Sequence, residues 1–206
     1  MNVSCLDSPM VSPEWVQTMA DDYGEDSAVY AIRVLGKFAS QQDNAIINAD
    51  LVTSAWDRDI IEDPEAPEIW GLDVARSGSD SCALVKRRGA VVTGIKVWQS
   101  ADLMATCGLV MAELEALPPS KQPTEILVDS IGIGAGVCDR LAELAPTSVR
   151  GINVAESQSM KSGRFKRLRD ELWWKTREWL EGKDVRLPQD DRLLAELTAP
   201  QYTIMS

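Results

Sequence analysis

The order of apolar runs constrains this chain more than any other feature. From residue 69 come three strand-like runs in succession, "IWGLDVA", "CALVKR" and "AVVTGIKVW", and only then a helical stretch, "ADLMATCGLVMAELEAL". A short strand "EILVDS", a helix entered through glycines "GAGVCDRLAEL", a fifth strand "RGINV" and a long amphipathic helix "RFKRLRDELWWKTREWLEG" follow. The second and third runs meet across Arg88 and Gly89, which predicts a hairpin. Strands joined through helices pair in parallel instead. The pattern therefore predicts an α/β fold, a mixed sheet flanked by helices. In the first run Ile69, Trp70, Leu72, Val74 and Ala75 surround Asp73 without polar alternation, so the run reads as a central strand covered on both faces. An unpaired carboxylate there is costly. Asp73 must meet a cation or a donor, or lie where the sheet opens to a ligand.

Ahead of this domain, Ser12 reads as an N-cap, Pro13 as the first helical residue and Glu14 as a first-turn acid, so a short helix is predicted up to Gly24. A second apolar stretch spans Val29 to Leu35, after which "ASQQDNAIINADLVTSAWDRDIIEDPEAPE" becomes polar, acidic and proline-bearing. Residues 1–68 thus read as a helical arm and acidic linker, and 69–206 as the main domain. At the far end "DVRLP" is extended and "QDDRLLAEL" helical, with Asp190 and Asp191 at its N-terminus. "QYTIMS" reads as a strand that has just begun, an exposed edge that invites dimerisation.

A length of 206 residues suits one ordinary α/β domain with an appendage. The apolar stretches fall short of a bilayer span and the N-terminus lacks a signal peptide's basic start and apolar core, so a cytoplasmic protein with no membrane partner is expected. Cys5, Cys82, Cys107 and Cys138 are scattered without C-x-x-C spacing and histidine is absent, which argues against a zinc site, a disulfide framework and any histidine-based triad. "DSIGIGAGV" offers Gly132, Gly134 and Gly136 as a phosphate cradle, but it matches neither G-x-G-x-x-G nor a P-loop. Those glycines instead let the backbone turn sharply and pack the helix close behind Asp129.

The net charge of −11 looks unsuited to a nucleic-acid partner until its distribution is read. Residues 1–68 hold 14 acids against 3 bases, whereas residues 69–206 hold 18 of each. Within the neutral part, Lys161, Arg164, Lys166, Arg167, Arg169, Lys175 and Arg177 face only Asp170 and Glu171, a local +5. Such a patch either grips DNA phosphates or is a solvated helix face.

The chemistry centres on Asp73 and Asp129, each inside or just past the end of an apolar strand. Two carboxylates converging beyond the carboxyl ends of neighbouring strands form a hard-oxygen site for Mg²⁺ or Mn²⁺. Taken singly, either is better explained as a cap or turn carboxylate; it is the pairing that favours a metal site.

Three strands with an Asp on the first, a helix, then a strand ending in Asp: this ordering resembles the ribonuclease-H-like nuclease fold. More narrowly, "SPEWVQTMADDYGEDSAVYAIRVLGKF", "IWGLDVARSGSDSCALVKRRG", "ILVDSIGIGAGVCDRL" and "RFKRLRDELWWKTREWLEGKDVRLPQDDRLLAEL", in that order, resemble the nuclease half of a tailed-bacteriophage terminase large subunit. The resemblance implies that residues 1–68 are the tail of a packaging ATPase domain and that residues 69–206 are a metal-dependent endonuclease domain in a bacterial host cell. It also implies double-stranded DNA as substrate, and the terminase small subunit and portal protein as partners. Asp73 and Asp129 match two of the family's metal-binding acids. Asp73 would bridge two ions, one activating water and one stabilising the departing 3′ oxygen, and Asp129 would hold one of them. The family's third acid follows in a later segment that has no counterpart here, so the domain is expected to be C-terminally incomplete; Asp80, in the loop after the first strand, is the remaining candidate ligand. The alternatives are a catalytically silent prophage remnant that only binds DNA or packaging partners, and an actin-like ATPase fragment suggested by "GLDVARSGSD" alone.

Overall fold

The computed structural model describes residues 4–37, 44–56, 58–75, 80–99, 102–157 and 164–203. The chain forms two compact units, the first from Met1–Arg58, Thr176–Lys183 and Gln189–Ser206, the second from Asp59–Lys175 and Asp184–Pro188.

The second unit is built on one mixed sheet of five strands: β1 (Glu68–Asp73), β2 (Cys82–Arg88), β3 (Val91–Trp98), β4 (Glu125–Asp129) and β5 (Ser148–Ile152), in the order β3-β2-β1-β4-β5. β1–β2 and β2–β3 are antiparallel, and the predicted hairpin turns at Gly89, whose φ of +53° favours glycine. β4 runs parallel to both β1 and β5, because α4 (Leu103–Glu115) and α5 (Gly134–Leu144) carry the chain back between them. The mixed sheet with flanking helices that the order of runs predicts is the one observed.

β1 is central, but its two faces are unequal. Trp70 and Leu72 are buried with Leu84, Ile126 and Val128 against Cys107, Val110 and Leu114 of α4 and Val137 and Leu141 of α5. Each such aliphatic side chain contributes about 1.5–3 kcal/mol by leaving water. Ile69 and Gly71, on the other face, are only half-buried, and Asp73 is exposed. The continuous apolar run therefore hides an inside–outside alternation, which places Asp73 on the more open face.

Glu68, buried at the start of β1, accepts from the indole Nε1 of Trp70 (3.2 Å), Nε of Arg88 (3.1 Å) and the hydroxyl of Thr93 (3.3 Å). The edge of β3 is met by the "DVRLP" segment, where the amide of Val92 donates to the carbonyl of Arg186 and the amide of Arg186 to that of Ala90, both at 3.0 Å. α6 (Leu168–Glu181) begins in this unit.

The first unit holds α1 (Pro13–Tyr23), α2 (Ala28–Arg33), α3 (Ala49–Thr53) and α7 (Asp191–Thr198), and it buries Val29, Val34, Ile47, Val52 and Leu194. Ser12 caps α1 by accepting from the amide of Trp15 (3.2 Å), and Gly24 ends it with φ +82°. α3 lies within the stretch that reads as arm and linker; at five residues it is too short to leave a periodic signal. Asp190 caps α7 by accepting from the amide of Leu193 (2.8 Å), and Asp191 pairs with Arg33 (2.8 Å). Gln201 is bridged to Ala45 and the amide of Tyr202 donates to the carbonyl of Asn44 (2.9 Å), so the described part of "QYTIMS" already has a strand partner. Ile204 to Ser206 lie outside the described residues. Among the described residues no helix is long and apolar enough to cross a membrane.

Candidate active site

β1 and β4 pair in the register Ile69↔Glu125, Trp70↔Ile126, Gly71↔Leu127, Leu72↔Val128. The next step sets Asp73 level with Asp129. Neighbouring strands lie about 4.8 Å apart and level residues share a sheet face, so the two acids rise side by side at the carboxyl ends of two parallel strands. Their face is opposite the one that packs on α4 and α5, since Leu72 and Val128 belong to that core. Asp73 is exposed and Asp129 half-buried.

Local structure behind Asp129 is set by glycine. Oδ1 of Asp129 accepts from the amide of Ile131 (3.1 Å), Gly132 turns the chain with φ +63°, and α5 starts at Gly134. A Cβ at Gly134 would lie 1.8 Å from the carbonyl oxygen of Asp129, a separation no side chain can occupy. The glycines therefore do what their spacing predicts: they turn the backbone and bring the helix against the end of β4.

Among the described residues, no group of three or more Asp, Glu or Cys is placed to hold a metal ion. Asp80, exposed ahead of β2, does not join Asp73 and Asp129 in such a group. Burial raises the thiol pKa values of Cys107 and Cys138, so these cysteines stay protonated at neutral pH and are poor nucleophiles. Hard carboxylate oxygens are what this end of the sheet offers.

The basic residues from Arg164 to Arg169 lie at the same end of the same unit. Asp129 is paired with Ile152 of β5, and just beyond Ile152 the carbonyls of Val154 and Glu156 accept from the amides of Arg169 (3.0 Å) and Leu168 (2.9 Å) at the start of α6. Arg164, Lys166, Arg167 and Arg169 are exposed. Lys166, Arg167 and Arg169 form no ion pair among the described residues, whereas Nζ of Lys175 lies 2.7 Å from Glu171, whose side chain is fully buried. Lys161 lies outside the described residues. Trp173, Trp174 and Trp179 are all half-buried. Glu171 is the residue that the sequence reading passes over: its spacing of four from Lys175 signals the pair, but nothing in the sequence signals its burial.

No protein-family model matches this chain, and no curated protein matches it. Solved structures do. The nuclease domain of the large terminase subunit gp2 of bacterial virus Sf6 superposes with a TM-score of 0.61 at 17% identity, over 78% of this chain and 84% of that one. A mutant of that domain with manganese and beta-thujaplicinol gives 0.62 over the same shares. The large terminase nuclease from thermophilic phage G20c gives 0.54 at 14% identity, over 71% of this chain and 72% of that one. This chain therefore has the ribonuclease-H-like fold of the large terminase nuclease domains.

Proposed function

We propose that this chain is a metal-dependent nuclease that hydrolyses the backbone of double-stranded DNA, acting in a phage-type packaging terminase with the small subunit and portal protein as partners. What supports this reading is the parallel register of β1 and β4, whose last pair, Leu72↔Val128, leaves Asp73 and Asp129 as the next residues at the carboxyl ends of neighbouring strands. The solved structures that share the fold include terminase nuclease domains with manganese and with zinc.

The pair fits one divalent ion. Two carboxylates about one strand spacing apart supply hard oxygens and charge, with water completing the shell of Mg²⁺ or Mn²⁺. A metal held there supplies a water acidified toward neutral pH and a positive charge on a phosphoryl oxygen. Asp73 and Asp129 would hold that ion together, and the family resemblance gives Asp73 the further role of bridging to a second. Oδ1 of Asp129 is steadied by the amide of Ile131, which orients the carboxylate. Arg164, Lys166, Arg167 and Arg169 would hold DNA through its phosphates, which fixes position without reading sequence.

A second reading, that the chain binds DNA or packaging partners without cutting, is favoured by the lack of a three-acid group among the described residues. One experiment separates them. Saturating Mn²⁺ at 100 times its Kd should stabilise the protein by about 2.7 kcal/mol, a rise of about 5–10 °C in Tm, and Asp73→Asn should abolish the rise. An unchanged rise in Asp73→Asn overturns the metal site. Nicking of supercoiled plasmid by the native chain and not by Asp73→Asn establishes the nuclease; a metal-dependent Tm rise without nicking establishes the silent reading.

A further inference from the structure

The sheet has two edges, and the chain treats them differently. At β3 the bonds between Val92, Ala90 and Arg186 carry the ladder onto the "DVRLP" segment, so that edge is occupied. β5, "SVRGI", is the other edge. Its register on β4 sets Ile152 opposite Asp129, and the amide of Ser130 donates to the carbonyl of Ile152 (3.0 Å). In a parallel pair alternate residues bond to the neighbouring strand, so Ser148, Arg150 and Ile152 turn their amides and carbonyls toward β4. Val149 and Gly151 turn theirs outward, where no described residue bonds them. Backbone groups of this kind are obligatory hydrogen-bonders.

We infer that this edge docks a second copy of the chain, β5 adding antiparallel to β5 about a twofold axis through Arg150. The strand is its own complement in that register. Val149 of each copy falls opposite Gly151 of the other and exchanges both bonds with it, while Arg150 falls on the intervening pair that makes none. Every outward group of both strands is then satisfied. Moving the axis to Val149 or Gly151 would set the remaining outward residue against position 153 or 147, beyond the strand. The edge is also unguarded. Natural edges are blunted by free charges, prolines or bulges, and β5 has no proline and an unbroken register. Its one charge is already neutralised, because Nε and Nη2 of Arg150 bond the two carboxylate oxygens of Glu125 at 2.8 and 3.3 Å. Two neutral pairs, not two bare cations, would therefore meet at the axis. Val149 packs against the core cluster and Gly151 is exposed with no side chain to obstruct an approaching backbone, so the edge is ready formed and loses little freedom on pairing.

The measurement is sedimentation equilibrium of the full chain over concentrations up to about 1 mM, where weak association shows. The native chain should reach a mass twice that of one copy. Val149→Pro should stay at the mass of one copy, since proline removes an outward amide and leaves the ladder to β4 intact. A second arm locates the axis. Opposed residues of the non-bonded antiparallel pair stand about 4.5 Å apart at Cα, within reach of a disulfide. Arg150→Cys, made together with Glu125→Gln so that no lone charge is left at the edge, should therefore cross-link two copies under mild oxidation. Ser148→Cys should not, because residue 148 faces Ile152 and lies about 13 Å from its own counterpart. Cys82, Cys107 and Cys138 are buried, and the native chain under the same oxidation reports any background from the half-buried Cys5.

A native dimer that Val149→Pro reduces to a folded monomer, with cross-linking at position 150 and not at 148, establishes the pairing. A native chain that stays monomeric throughout the series overturns it, as does a Val149→Pro chain that associates as strongly as the native one. Cross-linking of Ser148→Cys as fast as that of Arg150→Cys overturns the twofold through Arg150. Where Val149→Pro fails to fold by circular dichroism, the two cysteine variants decide the matter by themselves.

Discussion

Replacement of Gly134 by alanine isolates the contact that sets Asp129 in place. Helix propensity alone favours the change, since alanine exceeds glycine by up to about 1 kcal/mol in a helix. Geometry opposes it more strongly: the new Cβ would fall 1.8 Å from the Asp129 carbonyl oxygen and 3.0 Å from the carbonyl carbon, both backbone atoms that cannot rotate away. The start of α5 and the end of β4 must then part by more than an ångström. Overpacking of this kind costs about 1–3 kcal/mol or more, so the net loss should be about 2 kcal/mol, a fall of about 4–8 °C in Tm for a chain of this size. Gly108, on the exposed side of α4, is the matched control because nothing lies within 4 Å of a Cβ built there. Gly108→Ala should raise Tm by about 2–4 °C, since only propensity acts. Thermal unfolding followed by circular dichroism measures both, and the Mn²⁺-dependent rise should shrink in Gly134→Ala because Asp129 moves. If Gly134→Ala is as stable as Gly108→Ala, the close approach of α5 to β4 does not fix this end of the sheet.

Three further outcomes follow from particular side chains. Charge reversal at Arg167 and Arg169 together should weaken binding to duplex DNA and flatten its dependence on log salt by about 0.9 per lost contact in a salt titration; equal slopes would mean that these residues do not face DNA. Glu113 is held below the usual carboxylate range, first by its bond from Lys86 (2.6 Å) and then by Lys96, so its contribution is present above the ordinary carboxylate pKa and lost as acid protonates it. Glu113→Gln should therefore cost about 1 kcal/mol at pH 7, with the gap to the native chain closing as the pH falls below about 4 in urea melts; a gap that persists in acid excludes the ion pairs as its source. Glu68→Ala should cost about 2–4 kcal/mol, because it strands the buried indole donor of Trp70 and leaves Arg88 without its nearest acid; a loss under about 0.5 kcal/mol in equilibrium unfolding would show that water replaces the carboxylate.

The sequence by itself determines most of the elements and their order, the five-residue α3 excepted. The strand runs, the hairpin at Gly89, the caps at Ser12 and Asp190 and the glycine turn after Asp129 are all local. Each is written in a few consecutive residues whose backbone preferences and periodicity agree, which is why the mixed sheet is legible before any contact is known. The two acids are legible as candidates for the same reason, since carboxylates at the ends of apolar strands are conspicuous. What only the tertiary structure decides is pairing. Asp73 and Asp129 are far apart along the chain, and a register one residue different would turn one of them to the opposite face. The bonds of β1 to β4 fix that register, and burial of Trp70, Leu72, Ile126 and Val128 on one face fixes which side the acids take. Burial of charge is likewise tertiary. Glu68 and Glu171 carry the same side chain as the exposed Glu115, yet both are enclosed. Arg33 finds Asp191 across 158 positions. Lys175 is committed to Glu171 while Arg169, on the same helix, stays exposed, and Arg164 lies on aromatic faces that composition alone would assign to a core. Local preference selects strand or helix with a few tenths of a kcal/mol per residue, but the partner of a charged group depends on what the chain brings back to it, and that is set by packing of the whole sheet.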